Sequence, residues 1–387
     1  MPEYWFRYGV TEVSLEISSE VKHRKLEVKR GELSENLWRK IRAFAEDIKR
    51  DSGSGGVAVL YDHVGDDFSA LMLKHLVESL LEDWNEEKIT LLTSCWRLDR
   101  STGLKHLKNI LKKHGIRVRS IDAAETEKVD FHGMKIAREI LESSARVMIT
   151  TSEPHGLSGK ASLKEMIALG GFVETELKDD FNAKIEEVWE DVSSRLPLYA
   201  VTTLNGETRF GEARKVEAEI ADEDFSVPVE EFDAVITGSG GYPRDSVLQS
   251  VLHVLGLFRD AVVEDGLIGV IAECGGGLGS SRFLNMLLQK EEGGLDWELI
   301  KLAREVIEEK RVVFTTSLPR SILRDLLGIR GFDVPQEMLT YILRLYSKEA
   351  KILILEEPKL RPVRTIKPDE SSDNSFENSS RPADSRR

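Results

Sequence analysis

The alternation of short, unbroken apolar runs with amphipathic helical patterns constrains this chain more than any other feature. Val57–Tyr61, Ile89–Thr93, Ile116–Ile121 and Val147–Thr151 have the length and β-branched content of strands, without the polar alternation of a half-exposed sheet. Leu37, Ile41, Phe44 and Ile48 fall on one helical face, and Leu73, Leu76, Val77 and Leu80 on another. The spacing predicts a helix over Leu104–His114, closed by Gly115, and a further helix over Met134–Ser143. The rhythm resumes with strand Ala234–Thr237, helix Asp245–Val263, strand Leu267–Glu273, helix Trp297–Glu309, and strands Val312–Thr316 and Ile352–Leu355. Strands that are apolar on both faces must be covered on both faces. The expected class is therefore α/β, with mainly parallel sheets covered by helices.

Leu198–Ile220 instead alternates apolar and polar residues about Asn205-Gly206, the composition of a tight hairpin turn, and predicts an antiparallel excursion. A boundary there divides the chain into residues 1–222 and 223–358, two α/β domains facing each other across an active-site cleft; 387 residues suit two domains of roughly 150 or more. Residues 359–387 offer too little apolar surface to offset the entropy of ordering, so a disordered tail is expected. Acidic residues number 68 against 54 basic ones, a net charge of −14, and the two signs are interspersed. No basic face remains for a nucleic acid. No apolar run reaches the ~18–20 residues that span a bilayer, and Met1–Trp5 lacks the basic-then-apolar pattern of a signal peptide, so a cytoplasmic protein without a membrane partner is expected. Two cysteines, Cys95 and Cys274, are too few for a disulfide scaffold or a cysteine-rich zinc site.

In open parallel sheets ligands bind beyond the carboxyl ends of the strands, which directs attention to the loops Asp62–Asp67, Ser94–Ser101, Ser152–Gly159, Gly238–Asp245 and Cys274–Arg282. Asp62 and His63 follow one strand; His155 follows another, where an imidazole can serve as acid or base, or simply cap a loop. Gly240, Gly241, Tyr242 and Arg244 lie in a glycine turn whose amides suit an anion and whose arginine suits a carboxylate; the plainer reading is a structural βα turn. Gly276 and Gly277 belong to a run that departs from a dinucleotide fingerprint at Ser280, so it reads as a second backbone anion site and NAD is not expected. His23, His75, His106 and His114 read as surface residues, and His253 lies on the helix after the glycine turn. No His-x-His spacing marks a metal site, which would have to be assembled from distant loops, so its ligands are unassigned.

Together these segments resemble the nickel-pincer lactate racemase family. The resemblance is carried by Val227-Pro228-Val229, Asp233–Ile236, Ser239-Gly240-Gly241-Tyr242-Pro243 with Asp245, and Gly266–Glu273 with Cys274 and its glycine run. Tyr8-Gly9, Asp62, and Glu153-Pro154-His155 with Gly159 match in order and spacing, so the match extends from about residue 8 to 330. It implies a two-domain enzyme that binds a nickel-pincer nucleotide tethered to a lysine and completed by a histidine ligand. Such an enzyme exchanges hydride with a 2-hydroxy acid while two histidines handle the hydroxyl proton.

The chain departs from that pattern at several positions. His155 matches one acid/base histidine, but its partner aligns with Leu98. The tethering lysine aligns with Glu165, one residue from Lys164, and no histidine lies between His155 and His253. Gly65 replaces an expected arginine, and His253 replaces a lysine. Two readings follow. One is a divergent 2-hydroxy-acid racemase or epimerase in which His155 is acid/base, His63 or His253 the second base, Arg244 with the glycine amides the clamp for a small-molecule carboxylate, and Lys164 the cofactor anchor. The other is a non-catalytic ligand-binding or interaction protein that keeps the cleft and has lost the chemistry.

Overall fold

The computed structural model describes residues 1–27, 35–175, 180–204, 207–222 and 225–364. Val57–Asp62 is buried along its whole length and lies inside a six-stranded sheet. Ile89–Ser94 and Arg119–Asp122 extend that sheet in parallel on one side; Ala145–Thr151 and Tyr199–Leu204 extend it on the other, and antiparallel Glu207–Glu212 forms the edge. Residue parity sorts the two cores. Val57, Val59 and Tyr61 pack with Ile41, Ile48, Leu73 and Leu76 on one face, while Ala58 and Leu60 meet Ile140, Met166, Ile167 and Trp189 on the other. This is why the strand reads as continuously apolar.

The second sheet is parallel throughout: Arg330–Phe332, Arg311–Thr315, Val262–Ile271, Phe232–Gly238, Ile352–Leu355 and His23–Lys25. Its last strand comes from the start of the sequence. Tyr4, Phe6 and Leu15 of the hairpin Glu3–Tyr8/Thr11–Glu16, with Ile17 just after it, pack into a core with Ala234, Ile236, Leu339 and Ile352. The opening residues therefore pack with the second sheet, His23–Lys25 as a strand of it and the hairpin against its core, whereas the sequence groups them with residues up to 222.

Other differences have local causes. Met134–Ser143 is not one helix. Met134–Ala137 is a strand hairpinned with Lys128–Phe131, and only Arg138–Glu142 is helical. His132 and Gly133 both take positive φ and form the turn that separates them. The expected helix Asp245–Val263 begins only at Leu248, breaks after Val251 and resumes over His253–Phe258. Its first residues are held as a loop, because Asp245 accepts from the amides of Gly9 and Glu273 and the Ser246 carbonyl accepts from the Gly276 amide. Arg361–Arg364 is a strand paired with Ser226–Val229, so the expected tail does not begin at residue 359. The Asn205-Gly206 turn and residues 365–387 lie outside the described residues, although the strands flanking the turn are antiparallel as expected. Among the described residues no helix is long and apolar enough to cross a membrane.

Both sheets reverse strand order beside their first long strand: between Val57–Asp62 and Ala145–Thr151 in one, and between Phe232–Gly238 and Ile352–Leu355 in the other. Crevices beyond the carboxyl ends at such reversals are where this architecture takes ligands.

Candidate functional site

Loops from both reversals meet in a buried ion network. Asp62, fully buried, accepts at Oδ2 from Arg97 Nη2 at 2.6 Å, Thr150 Oγ1 at 3.1 Å and Trp96 Nε1 at 3.2 Å. Burial pushes its carboxyl up, against the pull of Arg97. Arg97 Nη1 also donates to Glu153 Oε1 and to the Thr151 carbonyl, both at 2.9 Å. From the second sheet, Arg244 grips Glu153 with both ends of its fork, each at 2.9 Å, and its Nε donates to the Val64 carbonyl at 3.0 Å. Burial pushes the Glu153 carboxyl up, but Arg244 and then Arg97 outweigh it and hold it at about 2. Two guanidiniums and two carboxylates thus neutralise one another, which a buried charge cluster requires. Two atoms remain unpartnered: Asp62 Oδ1, an acceptor, and Arg97 Nε, a donor.

Beside this network His155 and His253 stack nearly parallel, centroids 5.0 Å apart at 8°, with Trp96 at 5.3 Å from His155. The approach depends on Gly156, because a Cβ there would lie 1.8 Å from the His253 carbonyl oxygen. Hydrogen-bond partners fix the tautomers. The Ser158 hydroxyl donates to the Lys160 carbonyl, so at 3.2 Å it accepts from His155 Nδ1; His253 Nδ1 donates to the Ser250 carbonyl at 2.9 Å. When neutral, both rings therefore carry the proton on Nδ1 and keep the lone pair on Nε2. Burial, reinforced by neighbouring charge, lowers His155 well below the ordinary histidine value; His253 is held at about 4, chiefly by burial. Both are neutral near pH 7.

His63 Nε2 lies 2.8 Å from His106 Nδ1, and His106 sets its ring edge-on to Tyr242 at 5.4 Å. Burial, then His106 and Arg244, lower His63 to about 3.

Asp62, His63, His155, Arg244 and His253 lie close together at the strand ends, and the glycines proposed as anion cradles make contacts within the fold. Arg244 is not a vacant clamp, since Glu153 already fills its fork. The Gly276 amide donates to Ser246 and the Gly277 amide to Cys274, so the expected second anion cradle is closed by internal bonds. Gly240 and Gly241 take positive φ, and a Cβ on either would fall within 3 Å of Arg244 or Arg7. The Tyr242 amide donates to the Gly9 carbonyl at 2.8 Å, which brings the hairpin to the glycine turn. Sequence reasoning missed Arg97, Trp96 and Glu153 as site residues, although all three lie in the strand-end loops it selected. It also placed His106 on the surface. The buried stripe Gly103, Leu107, Ile110 puts His106 next to the inward face of its helix, a signal that was available.

A pincer cofactor held as the resemblance implies needs a lysine tether and a histidine ligand. Lys164 Nζ is bound by Glu186 of helix Phe181–Arg195, and Glu165 is buried against Ser162. Among the described residues no group of three or more His, Cys, Asp or Glu is placed to hold a metal ion. The residues present do not fit that cofactor.

No family model matches the sequence, and no curated protein does. The structure is similar to that of the lactate racemase apoprotein from Thermoanaerobacterium thermosaccharolyticum, with a TM-score of 0.70 and 16% sequence identity, over 94% of this chain and 100% of that chain. Likeness at that identity establishes the fold alone, and the chain has a lactate-racemase-like α/β fold.

Proposed function

We propose that this chain binds a small hydroxy carboxylate where the two sheets meet. The reading rests on one observation: Asp62 Oδ1 and Arg97 Nε are a buried acceptor and a buried donor with no partner, beside two neutral imidazoles. A hydroxyl is both donor and acceptor, so one such group can answer both vacancies. The ligand carboxylate is taken by Arg244 and Arg97 in exchange with Glu153, the carboxylate they now hold. His155 and His253 present Nε2 lone pairs that accept a hydroxyl proton near neutral pH.

That imidazole pair also favours a second reading, racemase- or epimerase-like turnover. The pair accounts for movement of the hydroxyl proton only; cleavage of the adjacent C–H bond needs an acceptor that these side chains do not provide.

The test is thermal stabilisation by lactate, glycolate and glycerate, with propionate and propane-1,2-diol as controls lacking the hydroxyl or the carboxylate. Binding predicts stabilisation by the hydroxy acids above both controls, and its loss in Arg244→Ala. Equal responses to propionate and lactate overturn the hydroxyl assignment. Chiral chromatography after incubation with L-lactate separates the readings, because turnover abolished by His155→Ala supports the second.

A further inference from the structure

Behind the site hairpin lies a second polar cluster that the ligand reading does not use. Strand Glu153–His155 pairs with Gly159–Ala161, placing Glu153 opposite Ala161, and Ser162 follows at once as the cap of helix Leu163–Leu169. Ser162 and two glutamates, Glu165 and Glu217, are all buried. The Ser162 amide donates to Glu165 Oε2 at 2.8 Å, and the Leu163 amide donates to Glu217 Oε2 at 3.0 Å. The Ser162 hydroxyl is hydrogen-bonded both to Glu165 Oε2 and, at 2.8 Å, to Glu217 Oε1. A hydroxyl has one hydrogen, and an ionised carboxylate has none to give. Of those two contacts one is made by the serine hydrogen, and the other requires a hydrogen on a carboxyl.

We propose that Glu165 and Glu217 share one bound proton through Ser162, and that this protonated pair anchors the hairpin carrying Glu153 and His155, loosening it as pH rises toward neutrality.

The surroundings favour retention of the proton. Lys164 pairs with Glu186 on helix Phe181–Arg195, Lys160 caps the carbonyls of Ile220 and Ala221, and Arg209 of the edge strand pairs with Glu207 and Glu219. Among the described residues, the cations named here hydrogen-bond or pair with other groups, and Lys164 acts on the two carboxyls only through its charge. Burial and then the neighbouring Glu165 push Glu217 up to about 7, against weaker opposition from Ser162 and Lys164; burial pushes Glu165 up too. Lys160 and Ser162 both tie the hairpin to helix Ala213–Asp222, so release of the Glu217 contact frees one of two moorings.

The sign follows from linkage. The closed hairpin keeps a proton that the opened, solvated one gives up, so opening becomes easier with pH between the ordinary glutamate value and neutrality, then levels off. Hydrogen exchange of the amides of residues 153–163, corrected for intrinsic rates, should lose protection by about tenfold per pH unit between roughly pH 5 and 7. In Glu217→Gln the protection should be independent of pH. Infrared difference spectra give a second readout: a protonated-carboxyl band at pH 6 that Glu165→Gln or Glu217→Gln removes. Protection that is flat with pH in the parent chain, an unchanged slope in Glu217→Gln, or absence of the band overturns the proposal.

Discussion

Replacing Glu153 with alanine removes the carboxylate that joins Arg97 of one sheet to Arg244 of the other. Both guanidiniums are largely buried, with 5% and 15% of their side chains exposed, so neither is re-solvated when its partner goes. Breaking one side of a buried pair costs about 3–5 kcal/mol, because the surviving charge keeps its desolvation penalty without its compensation. The lowered Glu153 carboxyl gives a second figure. A carboxyl lowered from 4.5 to about 2 favours its ionised form by ~3 kcal/mol relative to the unfolded chain. Glu153→Ala should therefore lower stability by about 3 kcal/mol near pH 7. Urea denaturation at a series of pH values measures it. Because the folded value lies below the unfolded one, the contribution is complete above about pH 4.5 and disappears as pH falls toward 2. The gap between parent and variant should therefore narrow on acidification. A loss below about 1 kcal/mol, or a gap that does not change with pH, would refute the view that this network holds the sheets together.

Two further outcomes follow from the packing. Gly156→Ala drives a Cβ into the His253 backbone, where neither side can yield, and should cost about 1–3 kcal/mol by denaturation while weakening any hydroxy-acid stabilisation; Gly159→Ala meets open space but a φ of +80°, so it should cost backbone strain without placing a Cβ between the two rings. Cys95 and Cys274 are buried, burial pushes both thiols up, and Cys274 reaches about 12, so the native chain should resist iodoacetamide at pH 8 and label fully only in denaturant.

The strands were legible because burial on both faces leaves a continuous apolar run that neither a loop nor a half-exposed strand produces. Met134–Ser143 was misread for a physical reason: Met134, Ile136 and Ile140 satisfy both a strand–turn–helix and a single helix, and the His132-Gly133 turn decides between them. Membership of His23–Lys25 in the second sheet has no local signature, since its partner Ile352–Leu355 lies at the other end of the sequence. The strand-end rule selected the loops that carry His63, His155 and Arg244, which the fold brings together. It did not reveal that Arg244 is already occupied, because a side chain's partner depends on which loops the tertiary fold brings together. The same holds for Gly276 and Gly277, whose amides read as vacant until the Ser246 and Cys274 carbonyls are placed beside them.

The hairpin that packs on the second sheet also sets an order of events during synthesis. Its apolar face, Tyr4, Phe6 and Leu15 with the adjoining Ile17, emerges from the ribosome long before the strands that cover it; Lys22 meets Glu349 across 327 intervening steps of chain. Residues 57–212 can meanwhile close their own sheet from contiguous sequence. The nascent protein thus carries an uncovered greasy ribbon ahead of a finished body until residues 234–354 are made, and the buried ion network around Glu153, which draws on both sheets, is among the last features to form.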